Sequence, residues 1–190
     1  MFENLGQRPE GRLVVLEPLG PHHVNGLRAA AADERIWRWM STTDVEAWIA
    51  DALRADDRQP FAVLHDGAVA GSTSYLSLAP EHRRLEIGHT WLHPSTWGTG
   101  ANVEAKYLLL RHAFEVVGCR RVEFKTDAQN ERARAALAAI PAEFEGVHRK
   151  HMVVRGGERR DSAWYAVIDD DWPRVREALE ARLSRKRTLV

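Results

Sequence analysis

Two glycines one residue apart, Gly98 and Gly100, stand in HPSTWGTGANVEAK (His93 to Lys106), between a β-like run and a helix-like run. Glycine permits the backbone conformations that turn successive N–H groups, from about Gly98 to Asn102, toward one spot in front of a positive helix end. That is anion chemistry: such a nest suits a pyrophosphate and requires neither a metal nor a lysine. A glycine-rich turn with no ligand accounts for the same spacing. Two familiar phosphate loops do not fit. A Walker A loop needs lysine and a hydroxyl directly after its last glycine, whereas Ala101 follows Gly100 and Lys106 lies most of two turns into the helix. A dinucleotide fingerprint needs a third glycine where Val103 stands, and an acidic residue at the end of a first βαβ unit that this chain lacks.

Groups suited to proton transfer lie just upstream. Glu86 interrupts the apolar run LEIGHTWLH; as an alternative to chemistry it faces outward and pairs with Arg83 or Arg84. His89 titrates near neutral pH. Strict alternation puts Glu86 and His89 on opposite faces, so one site holds both only if the strand carries a bulge near Gly88. His148 and His151, three apart on a later strand, are expected to face opposite ways. None of the nine histidines has the H-E-x-x-H spacing of a helical zinc site. Cys119 is the only cysteine, which excludes an intrachain disulfide and a Cys-rich zinc centre; its place at a helix-to-strand junction reads as structural.

The elements that must carry these groups are legible. GRLVVLEPL (11–19) is a short strand, and PHHVNGLRAAAAD is a helix with Pro21 at its start. TDVEAWIADALRAD is an amphipathic helix capped by Thr43 or Asp44. FAVLH and AVAGSTSYLSL flank Asp66-Gly67, a hairpin signal. From Gly100 to Val117 the residues Val103, Tyr107, Leu110, Phe114 and Val117 predict a helix with one buried stripe, ended by Gly118. CRRVEFKTDA alternates as a half-buried strand, and a short Ala-rich helix starts near Asn130. Two paired strands around RGGERR (155–160) and an amphipathic helix after Asp171 complete the order β α α β β β α β α β β α. In the last strand Trp164 and Tyr165 alternate, one facing the core and the other suited to a dimer contact.

The 27 basic and 27 acidic residues among 190 leave no global field for nucleic acid or an anionic membrane. RGGERR and the basic tail 185–187 therefore read as a solvated hairpin tip and chain end. No apolar run approaches the roughly 20 residues that span a bilayer, and the N-terminal stretch has no signal-peptide pattern. A cytoplasmic location follows as the expectation.

STWGTGANVEAK resembles the acyl-CoA loop of the GNAT superfamily of N-acetyltransferases, whose pattern is Q/R-x-x-G-x-G/A at a strand-to-helix junction. The ordered series LEIGHTWLHPSTWGTGANVEAKYLLLRHAFE, CRRVEFKTDAQNERARAAL and FEGVHRKHMV is similar to the branch containing ribosomal-protein N-terminal acetyltransferases. The resemblance runs from about Gly11 to the C-terminal helix. It implies one acyl-CoA N-acyltransferase domain over 1–190, with 171–190 a C-terminal helix and basic tail. The implied fold is α/β: a mixed, twisted sheet of about seven strands with a V-shaped splay, flanked by helices. Coenzyme A would lie in the V. Its pyrophosphate would rest on Gly98, Thr99, Gly100, Ala101 and Asn102 beside Trp97. Its pantetheine amides would pair with backbone near Trp91, Leu92 and His93, and Asn130 would touch it from the next helix.

The implied activity is acetyl-CoA-dependent transfer to a primary amine, a protein N-terminus or a small molecule, by direct attack in a ternary complex without metal. Glu86 is the leading base and His89 the second candidate. The alternative is a non-catalytic acyl-CoA-binding module. The expected partners are an amine substrate and a second copy in a homodimer, with no nucleic acid or membrane. DERIWRWM (33–40) lies where relatives cover the acceptor groove, or else packs as core. Two departures stand out. Relatives of the ribosomal type carry N-x-x-S where this chain has Asn130-Glu131-Arg132-Ala133, so the hydroxyl that would protonate the leaving thiolate is missing and Tyr107 or water must replace it. Pro141 replaces the glycine of a turn, and proline is expected to exclude a left-handed cap there.

Overall fold

The computed structural model describes residues 2–187. The chain runs β1 (Val14–Pro18), α1 (Val24–Ala30), α2 (Val45–Arg54), β2 (Gln59–His65), β3 (Ala68–Ala79), β4 (Arg84–Leu92), α3 (Ala101–Glu115), β5 (Arg121–Asp127), α4 (Glu131–Ala138), β6 (Glu143–Val154), β7 (Glu158–Ile168) and α5 (Trp172–Arg187). The expected order of elements holds throughout. Local signals act where the sequence puts them. Asp44 caps α2, its carboxylate accepting from the Ala47 N–H at 2.9 Å. Asp66 and Gly67 both take positive φ, 50° and 76°, as the two-residue turn between β2 and β3 requires. The last residues of the expected basic tail, 188–190, lie outside the described residues.

One seven-stranded sheet has the order β1-β2-β3-β4-β5-β7-β6. All neighbours are antiparallel except β4 and β5, which α3 joins as a parallel crossover. That central pair is short. It covers Arg84↔Arg121, Leu85↔Val122 and Glu86↔Glu123; beyond Glu86 the two strands diverge. Opposite β3, three residues of β4 span the length of two, from Ser74↔Gly88 to Ser72↔Trp91. The extra residue is a bulge, with His89 at φ 47°, and it bends β4 away from β5.

The main core packs α3 and α5 against the sheet through residues such as Phe61, Leu85, Leu109, Val122 and Leu179. A second core gathers α1, α2 and the 3-10 turn Glu34–Trp39 around Trp37, Trp48 and Trp91, whose rings lie 5.3–6.4 Å apart. Within DERIWRWM, Trp37 therefore packs as core, its indole N–H donating to the Ala31 carbonyl at 2.9 Å.

Three readings are corrected. Helix α3 is buried on nearly every side and not along one stripe. The N-terminal segment covers its outer face: the Glu104 carboxylate accepts from the Leu13 and Val14 N–H groups, and His112 Nε2 lies 3.1 Å from the Asn4 carbonyl oxygen. His148 and His151 face the same way, ring centroids 5.7 Å apart, because β6 bulges between His148 and Met152, where Lys150 takes φ 53°. Both rings cover Trp164 of their own chain, while Tyr165 turns to the core. Pro141 takes φ 31°, in the left-handed region that its ring disfavours; the Ala142 N–H reaches the Leu137 carbonyl across the turn, and burial of Ile140 and Ala142 holds the chain there.

Candidate active site

Divergence of β4 from β5 opens a cavity of about 450 Å³. Residues 86–92 of β4 and 124–126 of β5 form its two arms, and the first turns of α3 and the length of α4 from Arg132 to Leu137 line it as well. The loop into α3 has the backbone its glycines suggest. Gly98 takes φ 81° and Gly100, the N-cap of α3, φ 108°. A Cβ at Gly98 would meet no atom within 4 Å, so conformation and not crowding calls for glycine there. Asn102 turns a buried Oδ1 into the cavity wall with no hydrogen-bond partner.

Seven of the ten expected cofactor residues line the cavity: Trp91, Leu92, Trp97, Gly98, Gly100, Asn102 and Asn130. His93, Thr99 and Ala101 do not, because each is committed to building the loop. His93 Nδ1 accepts from the Ser95 N–H, the Thr99 hydroxyl donates to the Thr96 carbonyl at 2.7 Å, and Ala101 is fully buried. The Trp97 indole donates to the Leu92 carbonyl at 2.9 Å, and the Arg132 guanidinium lies 3.8 Å over its ring. Asn130 Oδ1 accepts from the Ala133 N–H at 3.1 Å and so caps α4, while the Asn130 side of that cap faces the cavity.

At the apex sits Glu86, 1% exposed. Its carboxylate accepts from Lys125 Nζ at 2.9 Å and from the Ser77 hydroxyl at 3.2 Å, so neither Arg83 nor Arg84 is its partner. Arg84 pairs with Glu123 instead. The bulge brings His89 to the same cavity with its Nδ1 buried and unpartnered. Burial, reinforced by the charges of Arg58 and Lys125, pushes its imidazole down to about 4, so it is neutral at physiological pH.

A lysine also lines the cavity. Lys106 is 6% exposed, lines the cavity one helical turn beyond Asn102, and donates to the Thr90 hydroxyl at 2.5 Å. It makes no ion pair among the described residues, and burial pushes its ammonium down to about 7 against the opposing pull of Glu86. The four-residue spacing from Asn102 to Lys106, which puts both on one face, was the available signal. Tyr107, expected as a proton source, points the other way and donates to Glu180 of α5 at 2.7 Å. Cys119 is buried, and that burial pushes its thiol up to about 11, as a structural cysteine requires. Arg160, read as part of a solvated hairpin tip, is instead 9% exposed and lines the cavity.

Cations outnumber acids here. Lys106, Lys125, Arg132, Arg160 and Arg182 line the cavity against the single carboxylate of Glu86. Together with the unpartnered Asn102 and the glycine turn at a helix N-terminus, this suits a polyanionic ligand with amide groups. Glu17, His22 and His23 form the one grouping of metal-type ligands among the described residues, away from this cavity. There His23 Nδ1 accepts from the Gly20 N–H, leaving its Nε2–H to donate to Glu17. No described helix is long and apolar enough to cross a membrane.

Residues 13–141 match the family model of the acetyltransferase (GNAT) domain. A GCN5-related N-acetyltransferase from Brucella melitensis superposes with a TM-score of 0.87 at 34% identity, over 93% of this chain and 85% of that one. A protein from T. thermophilus assigned as an acetyltransferase reaches 0.85 at 43% identity, over 93% and 97% of the two chains. At the level of fold alone, Mycobacterium smegmatis RimJ in complex with CoA-disulfide gives 0.78 at 22% identity, over 93% and 91%. No curated protein matches the chain.

Proposed function

The chain belongs to the GNAT acetyltransferase family and is an N-acetyltransferase; from that premise we propose that its cosubstrate is acetyl-CoA and its acceptor a primary amine, attacked directly in a ternary complex. The observation that carries this reading is the early end of the β4–β5 ladder at Glu86, which leaves a cavity with an anion-binding turn at its mouth and a buried carboxylate at its apex. The RimJ structure with CoA-disulfide shares this fold, which supports the same use of the cleft.

The residues present fit coenzyme A. Gly98, Gly100 and Asn102 would hold the pyrophosphate, with Arg132 and Arg182 supplying charge, and the diverging backbone of β4 at Trp91 and Leu92 would take the pantetheine amides. When bound, acetyl-CoA supplies a thioester whose acetyl group is activated for transfer. Glu86 holds the proton taken from the amine, directly or through water, and Lys125 and Ser77 orient its carboxylate. Lys106 Nζ, poised near neutrality and fixed on Thr90, returns a proton in place of the hydroxyl that Ala133 lacks. His89, neutral and weakly basic, shapes the wall beside Glu86.

Calorimetry with acetyl-CoA, followed by thiol release across amines and peptides, tests the reading. Tight binding with amine-dependent thiol release is expected, and a bulky residue at Gly100 abolishes binding. Binding without turnover on any amine would leave an acyl-CoA-binding module; no binding would discard both.

A further inference from the structure

A buried arginine with no ion-pair partner among the described residues lines the cavity. Arg160 lies on β7 opposite Met152 of β6, two strands from β4 in the sheet order and so from the glycine turn that follows β4. It is 9% exposed, its Nε is buried with no hydrogen-bond partner, and its guanidinium makes no ion pair among the described residues. Leaving a charge buried and uncompensated is costly, so a fold keeps one where something else supplies the partner.

The nearby carboxylates are already engaged. Asp127 accepts from the Gln129 N–H at 3.0 Å and faces Arg155 at 3.5 Å. Glu86 is held by Lys125 and Ser77. His151, close enough to feel the charges of both Lys125 and Arg160, adds no anion. Asp127 and Glu86 both act on Arg160 through space, but each already faces another cation, Arg155 and Lys125, and neither closes on the Arg160 guanidinium as an ion pair.

Arg160 is also set among apolar walls. Trp39 and Met40 from the 3-10 turn and Met152 from β6 line the cavity with it. Arg155 fastens this hairpin to that turn, its backbone N–H donating to the Ser41 carbonyl and its guanidinium to the Met40 carbonyl, both at 3.2 Å. On the reading above, the cosubstrate's pyrophosphate would meet Arg132, which stacks on Trp97 beside the glycine turn.

Building on the acetyl-transfer reading above, we propose that Arg160 receives a carboxylate of the acceptor, so that the substrate is an amine carrying both an acidic group and an apolar portion. The carboxylate comes either from a free amino acid or from an acidic side chain near a peptide N-terminus. Guanidinium and carboxylate match as a planar, two-bond pair, which orients the amine as well as selecting it.

The full chain is titrated calorimetrically with 3-phenylpropanoate and with its neutral amide. The carboxylate binds about 30-fold or more tightly than the amide, and Arg160→Met removes the difference. Equal affinities, or no carboxylate binding, overturn the proposal; neither outcome depends on acetyl transfer. Arg160→Met keeps or raises the melting temperature, since it removes a buried charge that makes no ion pair, whereas a clear drop would reveal a structural partner and overturn the assignment. Acetyl-CoA affinity is unchanged in Arg160→Met; a loss there would give the guanidinium to the cosubstrate instead. In turnover, free amino acids are compared with their amides and with C-terminally amidated peptides bearing an acidic second residue. Preference for the first or the last identifies the source of the carboxylate, and equal turnover of all three discards the proposal. Failure of acetyl-CoA itself to bind would sink the acetyl-transfer reading while leaving the carboxylate titration to decide on Arg160.

Discussion

Lys125 Nζ donates to Glu86 Oε2 at 2.9 Å across the point where β4 and β5 stop pairing. Lys125 lies two residues past the last ladder pair on β5, so the ion pair spans the base of the V and ties the two arms together where backbone bonds no longer do. Breaking such a buried pair by removing one partner would leave the other charge uncompensated, so Lys125 and Glu86 hold each other at the base of the V.

Replacing Glu86 by Gln keeps the shape and removes the base. Turnover with an established acceptor, measured as kcat/KM, falls by roughly 10²–10⁴-fold, while acetyl-CoA binding measured by calorimetry changes little. An unaltered rate means that another group takes the proton.

Lys106 makes stability depend on pH with a definite sign. Its folded pKa, about 7, lies below the ordinary lysine value of 10.5, so between those limits the unfolded chain binds more protons and stability rises with pH. Melting temperatures from pH 7 to pH 10 should climb in the parent protein and climb less in Lys106→Met, which is the more stable of the two at pH 7. Parallel curves would place the ammonium in water.

Gly98 separates backbone strain from crowding. With nothing within 4 Å of an added Cβ, Gly98→Ala costs only the left-handed conformation at φ 81°, about 1–2 kcal/mol, read from urea unfolding. Acetyl-CoA affinity should fall with it, since relaxation of that strain turns the loop's N–H groups away from their common focus. A variant that loses neither stability nor affinity shows that the loop does not use this conformation.

His89 is expected to titrate near pH 4. Nuclear magnetic resonance of its ring should show the neutral form throughout pH 5–8, and the sign for stability follows: the unfolded chain protonates first, so His89 weakens the fold as pH drops from 6.5 toward 4. A midpoint near 6.5 would mean that water reaches the ring, and would restore His89 as a base.

Much of the framework was legible because its signals are local. Asp66-Gly67, the cap at Asp44 and the period of each strand act within a few residues, and the two glycines before α3 announce their backbone by lacking a side chain. The same locality explains what stayed hidden. An alternating pattern cannot show the extra residue at His89 or the two between His148 and Met152, since a bulge is defined only by the partner strand, and each changes a facing that strict alternation assigns.

By itself the sequence determined the order of elements, the hairpin turns and the glycine junction that opens α3, all consequences of dihedral preference and hydrophobic period. Tertiary structure alone decided which polar side chains are buried. Lys106 and Arg160 read as ordinary solvated cations along the chain; in the fold Lys106 is buried against Thr90 of β4 and the Phe124 ring of β5, and Arg160 is buried on β7 in a hairpin that Arg155 ties to the 3-10 turn. Desolvation depends on neighbours far away in sequence, and it is desolvation that lowers the Lys106 pKa and leaves Arg160 Nε buried without a hydrogen-bond partner.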